Sequence, residues 1–326
     1  MCKLGGIIGV KEDKQDKAIT VMKDLGTIIS KFNNDGLGHS KMSKDKDIHV
    51  EKWIMNDLAW FGKEHIDQQY LDMIQEELSY YSYHSLKKQT LEIGDVYESF
   101  GQKVDNFKAM LLHARMATCG GGIVNNHPFV NDIEIPKVSL IHNGVIRNDD
   151  LIDPEFKRRY STCDSEVILW EYIDAKVNEN LKNLNAFTKK LRGWFAVMVM
   201  GTLEDGTPYI DTFVDGNTSL HHAYVPGLDA FIFSTSGADI NNALKKNSLD
   251  APVIERIPGN TAIRWNSFTG EVIEQCTIDT NTKSLYTNSD HIFDDVEDWS
   301  WFDAYADDPS MKEFIEEFKD DKEKKA

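Results

Sequence analysis

The sequence predicts a layered α+β fold. Short apolar runs such as "WFAVMVMG", "PYIDTFV" and "AFIFSTS", parted by "EDG", "DGN" and "PGLD", outnumber helical segments and read as strands joined by tight turns. Helical patterns stand at both ends of the strand runs, whereas an alternating parallel fold would place one between successive strands. The 326 residues are enough for a sizeable core, either one large unit or roughly two domains of about 150 residues each.

Taken in order, "MCKLGGIIGV" opens the chain as an apolar, glycine-punctuated strand with a cysteine at its head. Ala18, Val21, Met22, Leu25, Ile28, Ile29 and Phe32 then recur at i, i+3, i+4 and i+7, an amphipathic helix that "NNDGLG" ends. "HVEKWIM" is a strand. Leu71, Ile74 and Leu78 mark a polar-faced helix inside a stretch, about 64–106, that reads as a surface insertion. From Lys108 to Arg147 the chain is rich in glycine and asparagine between short apolar runs, the composition of loops that carry function on a strand scaffold. "CDSEVILWEYIDAKV" is helical, with acidic residues in its first turn where the helix dipole favours them. "TAIRWNSFTGEVIEQC" is a hairpin that closes the folded region near Cys276, leaving 277–326 as an acidic extension with interspersed aromatics.

Composition narrows the function. A formal charge of −18, from 36 basic and 54 acidic residues, argues against nonspecific binding of nucleic acid or anionic lipid, both of which need cationic surface. No stretch approaches the roughly 20 apolar residues of a membrane helix, and the N-terminus carries no secretion signal, because "IIGV" runs at once into "KEDKQDK". The four cysteines, Cys2, Cys119, Cys163 and Cys276, form no CxxC pair and have no histidine at zinc-finger spacing. The expected compartment is therefore a reducing cytoplasm, and no cofactor or metal is implied. A small molecule or a protein is the expected partner.

Four clusters carry the polar chemistry: Cys2, "HARMATCGGG", "IHNGVI" and "STCDSE". Each has a plain explanation by itself. Cys2 is an idle thiol, "HNG" between apolar residues is a hairpin turn, Arg115 is a surface cation worth roughly 0–1 kcal/mol when paired, and Asp164 starts a helix. Together they meet one chemical requirement. Once Met1 is removed, Cys2 offers a thiol and an α-amine with a reference pKa of about 7.7–8.0, so nucleophile and base come in one residue. Attack on an amide carbonyl creates an oxyanion, for which Asn143 and Gly144 supply a side-chain amide and a backbone N–H. Arg115 and Asp164 complement the carboxylate and ammonium of an amino-acid substrate such as glutamine.

The blocks "LLHARMATCGGGIVNNHPF", "LIHNGVI", "STCDSEVIL" and "LRGWFAVMVM" resemble, in the same order, the signature segments of class II, N-terminal-cysteine glutamine amidotransferases. The wording is nearest to the glutaminase domain of glucosamine-6-phosphate synthase. The resemblance runs from Cys2 to about Ile263 and takes in "DGNTSL" and "FSTSGADI". It implies the four-layer αββα sandwich of the N-terminal nucleophile hydrolases over residues 2–276. By position, it implies Cys2 as the nucleophile that forms a γ-glutamyl thioester, and Asn143 and Gly144 as the oxyanion pair. Arg115 and Thr118 correspond to the loop that holds the glutamine carboxylate, and Asp164 to the carboxylate that binds its ammonium. Asn125 and His127 fall on an Asn-x-His-Pro segment that shapes the pocket.

This chain departs from the family pattern at three places. Lys3-Leu4 follows the cysteine where Gly-Ile is common, Phe32 stands where an arginine precedes Asp35 and Gly38, and Cys119 replaces a frequent histidine. Only about 50 residues follow Cys276, too few for a synthase domain. An ammonia-accepting protein partner is expected in its place, with the segment from Phe293 to Phe318 as either its docking site or a solubilising tail. Two other functions stay open at this stage: hydrolysis of a different amide, such as a γ-glutamyl one, by the same cysteine, and a binding module derived from a retired enzyme.

Overall fold

The computed structural model describes residues 2–31, 33, 35–54, 106–116, 123–131, 137–153, 159–250 and 253–281, all within one compact unit spanning 1–282. Thr118, Cys119, Phe32, the predicted helix at 71–78 and the segment Phe293 to Phe318 lie outside the described residues.

Two antiparallel sheets organise the chain. The first contains β1 (Lys3–Ile8), β2 (Gly36–Ser43), β3 (Ile48–Ile54), β4 (Phe107–Arg115), β9 (His221–Val225), β10 (Ala230–Ser234) and β11 (Glu255–Arg256), in the order β11-β9-β10-β1-β4-β2-β3. The second contains β5 (Phe129–Asn131), β6 (Val138–Ile146), β7 (Gly193–Thr202), β8 (Pro208–Val214), β12 (Thr261–Asn266) and β13 (Val272–Thr277), in the order β13-β12-β8-β7-β6-β5. The helices are α1 (Gln15–Ser30), α2 (Asp149–Ile152), α3 (Ser165–Asp174) and α4 (Gly237–Lys246). No helix among the described residues is long and apolar enough to cross a membrane.

Successive strand side chains point to opposite faces, and the apolar residues sort accordingly into three cores. On β1, Leu4 and Ile8 join a core shared with the second sheet, where they meet Ile141, Met198 and Val214. Ile7 points the other way, into a core with Val21 and Leu25 of α1 and Ile240 of α4. On β7, Phe195, Val197 and Val199 face Val167, Ile168 and Tyr172 of α3, while Ala196 and Met198 face the first sheet. The glycines of β1 permit this close layering. A Cβ on Gly6 would lie 3.0 Å from the Met198 methyl, and one on Gly5 would lie 3.0 Å from Leu25.

The strongly periodic helix and the alternating strands stand where the sequence places them. Other segments differ. "GLG", read as part of a helix stop, begins β2, and the second half of "FSTSGADI", read as a strand block, begins α4. "HNG" is not a turn, because His142, Asn143 and Gly144 lie inside β6 and pair with Val197, Ala196 and Phe195 of β7.

The second sheet contains a charge pair that the apolar pattern of "PYIDTFV" does not announce. Asp211 and Arg264, on neighbouring strands β8 and β12, are 0% and 2% exposed. The guanidinium grips the carboxylate through Nε–Oδ1 at 2.8 Å and Nη2–Oδ2 at 2.7 Å. Arg264 also donates to the Val177 carbonyl at 2.8 Å, and the Tyr172 hydroxyl donates to Asp211 at 2.5 Å. Charges withdrawn from water this completely are tolerated only when they are paired and hydrogen-bonded. Here the pair ties α3 and the turn after it to two strands.

Candidate active site

Cys2 immediately precedes β1, the central strand of the first sheet. The β1–β4 register, with Lys3 opposite Ala114, brings Cys2 beside the end of β4. There its thiol donates to the Met116 carbonyl at 3.4 Å. By the alternation that sends Leu4 and Ile8 into the core between the sheets, Cys2 falls on that same face. Ala109 and Leu111 of β4 share that core, so His113 and Arg115 fall on it too, and on β6 Ile141 brings Asn143 to it from the opposite sheet. Strand periodicity alone thus collects nucleophile, guanidinium and side-chain amide between the two sheets at one end.

The electrostatics agree with that placement. Burial pushes the half-buried Cys2 thiol up from its ordinary value, the nearby Arg115 guanidinium opposes the shift and the Asp164 carboxylate adds to it. A thiol held in its neutral form needs a base during attack. Arg115 is itself 5% exposed, and its carbonyl accepts the Asp35 N–H at 3.1 Å, which fastens the start of β2 to the end of β4.

Asn143 is 7% exposed, and its side-chain carbonyl has no hydrogen-bond partner among the described residues. Gly144 adopts φ +152°, and a Cβ there would sit 2.0 Å from the Trp194 carbonyl. Only glycine lets β6 approach β7 so closely in this conformation. Asp164 directly precedes α3 but makes no capping hydrogen bond from its side chain. Its Oδ2 accepts the Ile146 N–H at 2.6 Å, so the carboxylate secures the end of β6 two residues past Gly144. Asp164 thus stands at the helix start, as the sequence suggests, but its carboxylate serves as a strand anchor in place of a cap.

Asn125 and His127 come from the segment before β5. Asn125 accepts from the Thr162 N–H and hydroxyl at 2.8 and 3.1 Å, tying that segment to the loop preceding Asp164. His127 is 2% exposed and stacks on His113, with ring centroids 3.9 Å apart. A Cβ on Gly38 would lie 1.9 Å from the His127 carbonyl, so the glycine of "DGLG" is required by close backbone approach. The structure sets Cys2 and Arg115 at the paired ends of β1 and β4 and joins Asp164 to the end of β6, two residues past the Asn143–Gly144 pair, while Asn125 is tied to the loop preceding Asp164 and His127 stacks on His113.

Sequence reading missed two residues here, His113 and His142. His113 Nε2 donates to the His142 carbonyl at 3.1 Å. His142 Nδ1 meets the Ser165 hydroxyl at 2.8 Å, and that hydroxyl donates to Asp164 Oδ1 at 3.2 Å. The only sequence signal was their position within the blocks "LLHAR" and "LIHNG".

Burial lowers the histidines as a group. His113 falls to about 3, His39 to about 4 despite Glu51 at 3.3 Å, and His127 well below its ordinary value. Above pH ~6.5, the unfolded-state value, both states are neutral and this contribution is complete. As the pH falls below that value the unfolded chain binds protons that the folded chain refuses, so stability is lost down to the folded values. Each histidine contributes a slope of up to about 1.4 kcal/mol per pH unit. Urea midpoints are expected to drop continuously from pH 6.5 to 5, above the range where most carboxylates titrate, and a flat profile would contradict this burial.

No family model matches the sequence. No curated protein matches it. Solved structures do match in fold. The glutamine phosphoribosylpyrophosphate amidotransferase from B. subtilis, complexed with ADP and GMP, superposes with a TM-score of 0.53 at 15% identity, covering 85% of this chain and 49% of that one. A structure described as the allosteric regulatory enzyme of purine biosynthesis gives 0.52 at 16% identity, covering 85% and 49%. The chain thus spans about half the length of these proteins and shares its fold with that half.

Proposed function

We propose that this chain is a glutamine amidotransferase subunit of the class II, N-terminal nucleophile type, in which Cys2 hydrolyses L-glutamine to glutamate and ammonia. The observation that carries the proposal is the strand geometry: the β1–β4 register sets Cys2 beside the end of β4 that bears Arg115, Asn143 faces the same gap from β6, and Asp164 is fastened to the end of β6 through the Ile146 N–H. The three cores support the four-layer αββα order that this class implies.

In this reading Met1 is removed, and the freed α-amine of Cys2 takes the thiol proton as sulfur attacks the side-chain amide carbon. The oxyanion is met by the Asn143 side-chain amide and the Gly144 N–H. As the C–N bond breaks, the α-ammonium returns its proton to the leaving nitrogen and ammonia departs. Water then attacks the γ-glutamyl thioester, releasing glutamate and restoring the thiol. Arg115, together with Thr118, holds the substrate carboxylate and Asp164 its ammonium. Asn125 and His127 shape the pocket.

Residues 2–276 would form the glutaminase domain, with the insertion at 64–106 and the extension 277–326 outside its catalytic part. Ammonia would pass to an acceptor protein in the cytoplasm. The test is product analysis. Protein with a verified N-terminal cysteine should release glutamate and ammonia from L-glutamine in equal amounts, whereas γ-glutamyl amides turned over in preference to glutamine would favour the wider amidohydrolase reading.

A further inference from the structure

We infer that His113 is a positioning residue that sets the distance between the nucleophile strand and the oxyanion strand, an inference that rests on the glutaminase reading above. His113 belongs to the first sheet, where its backbone pairs with Leu4, two residues from Cys2. His142 belongs to the second sheet and directly precedes Asn143 and Gly144. The hydrogen bond from His113 Nε2 to the His142 carbonyl, 3.1 Å long and buried, therefore bridges the sheets at the mouth of the site.

A carbonyl can only accept, so the neutral imidazole of His113 must carry its proton on Nε2. Its Nδ1 has no hydrogen-bond partner among the described residues, and the ring is 0% exposed with His127 stacked on its face. Nothing else in the hydrogen-bonding of the ring competes for its orientation. The acceptor is the carbonyl of the peptide whose N–H belongs to Asn143, so the bond fixes that peptide plane relative to β1. On the far side of the same residue, the His142 ring reaches Ser165 and through it Asp164. One residue of β6 thereby links the nucleophile's sheet to the carboxylate assigned to the substrate ammonium.

Positioning of this kind changes rate more than binding, since misplacement by about 1 Å costs roughly 10²-fold. His113→Leu removes the donor, while His113→Gln keeps an N–H at comparable reach. With L-glutamine, H113L is expected to lose about 10²-fold in kcat with KM within about twofold, and H113Q to recover most of that loss. Alkylation of Cys2 by iodoacetamide, which forms no oxyanion, should proceed at the wild-type rate in both variants. Equal losses in kcat and alkylation, a change confined to KM, or no gain from H113Q over H113L would overturn the inference.

A second readout is independent of turnover. Long-range ¹H–¹⁵N spectra should show His113 in wild type as the Nε2–H tautomer, and amide exchange at Asn143 and Gly144 should quicken by about tenfold or more in H113L but not in H113Q. An Nδ1–H tautomer, or exchange unaffected by the substitutions, would refute the bridge. A wild-type protein that turns over no glutamine defeats the glutaminase reading alone, and the tautomer and exchange results then decide the bridge.

Discussion

Cys2→Ala is expected to leave the thermal midpoint within about 2 °C of wild type and to slow ammonia release from glutamine by roughly 10³-fold or more. The two expectations differ because the thiol is half-buried and, among the described residues, makes one hydrogen bond, to the Met116 carbonyl. Its loss leaves the three apolar cores intact. In the proposed reaction, by contrast, the sulfur forms and then releases the bond to the substrate carbonyl carbon, so neither half of the reaction proceeds without it. Ammonia release, followed by a coupled glutamate dehydrogenase assay alongside thermal melts, separates the two effects. Residual turnover near the wild-type rate would move the chemistry to another group.

Arg264→Met is expected to have the opposite profile, a large loss of stability from a residue of the second sheet that has no part in the proposed chemistry. Removing one partner of a buried ion pair costs about 3–5 kcal/mol because the other is left charged in a low-dielectric interior. Among the described residues, the side chain of fully buried Asp211 would keep only the Tyr172 hydroxyl, and the Val177 carbonyl would lose the Arg264 donor. The loss should shrink between pH 7 and 4, as the stranded carboxyl takes up a proton and ceases to be an uncompensated charge. Urea denaturation at both pH values checks this. A loss under about 1 kcal/mol at pH 7 would place the pair in the class of solvated surface bridges.

Much of this was legible in the sequence, where local pattern determines structure. The helix from Ala18 to Ile29 repeats with helical period, and β7, β8 and β12 alternate or run apolar over a strand's length. "HNG" misled because its turn propensity is local, whereas β6 is fixed by nonlocal pairing to β7, with Gly144 retained to avoid the Trp194 carbonyl. The start of α4 was hidden for a similar reason, since "STSG" reads as the end of a strand and the helix follows without a capping side-chain bond.

At the proposed site, Cys2, Arg115, Asn143, Gly144 and Asp164 could be put forward from the sequence because amide hydrolysis would call for groups of those kinds. The histidine bridge was not. His113, His127 and His142 come from three segments, and only the stacking of two sheets reveals that one imidazole reaches the other's carbonyl. The Asp211–Arg264 pair was invisible likewise, 53 residues apart in sequence and adjacent only through the register of β8 and β12.

The measurement that bears most directly on the central claim is the intact mass of the purified protein before and after incubation with 6-diazo-5-oxo-norleucine, a glutamine-shaped electrophile. The expected result is a chain lacking Met1 that gains one adduct, located at Cys2 and absent from Cys2→Ala. A chain with a free N-terminal Cys2 that stays unlabelled, or an adduct that persists in the alanine variant, would contradict it.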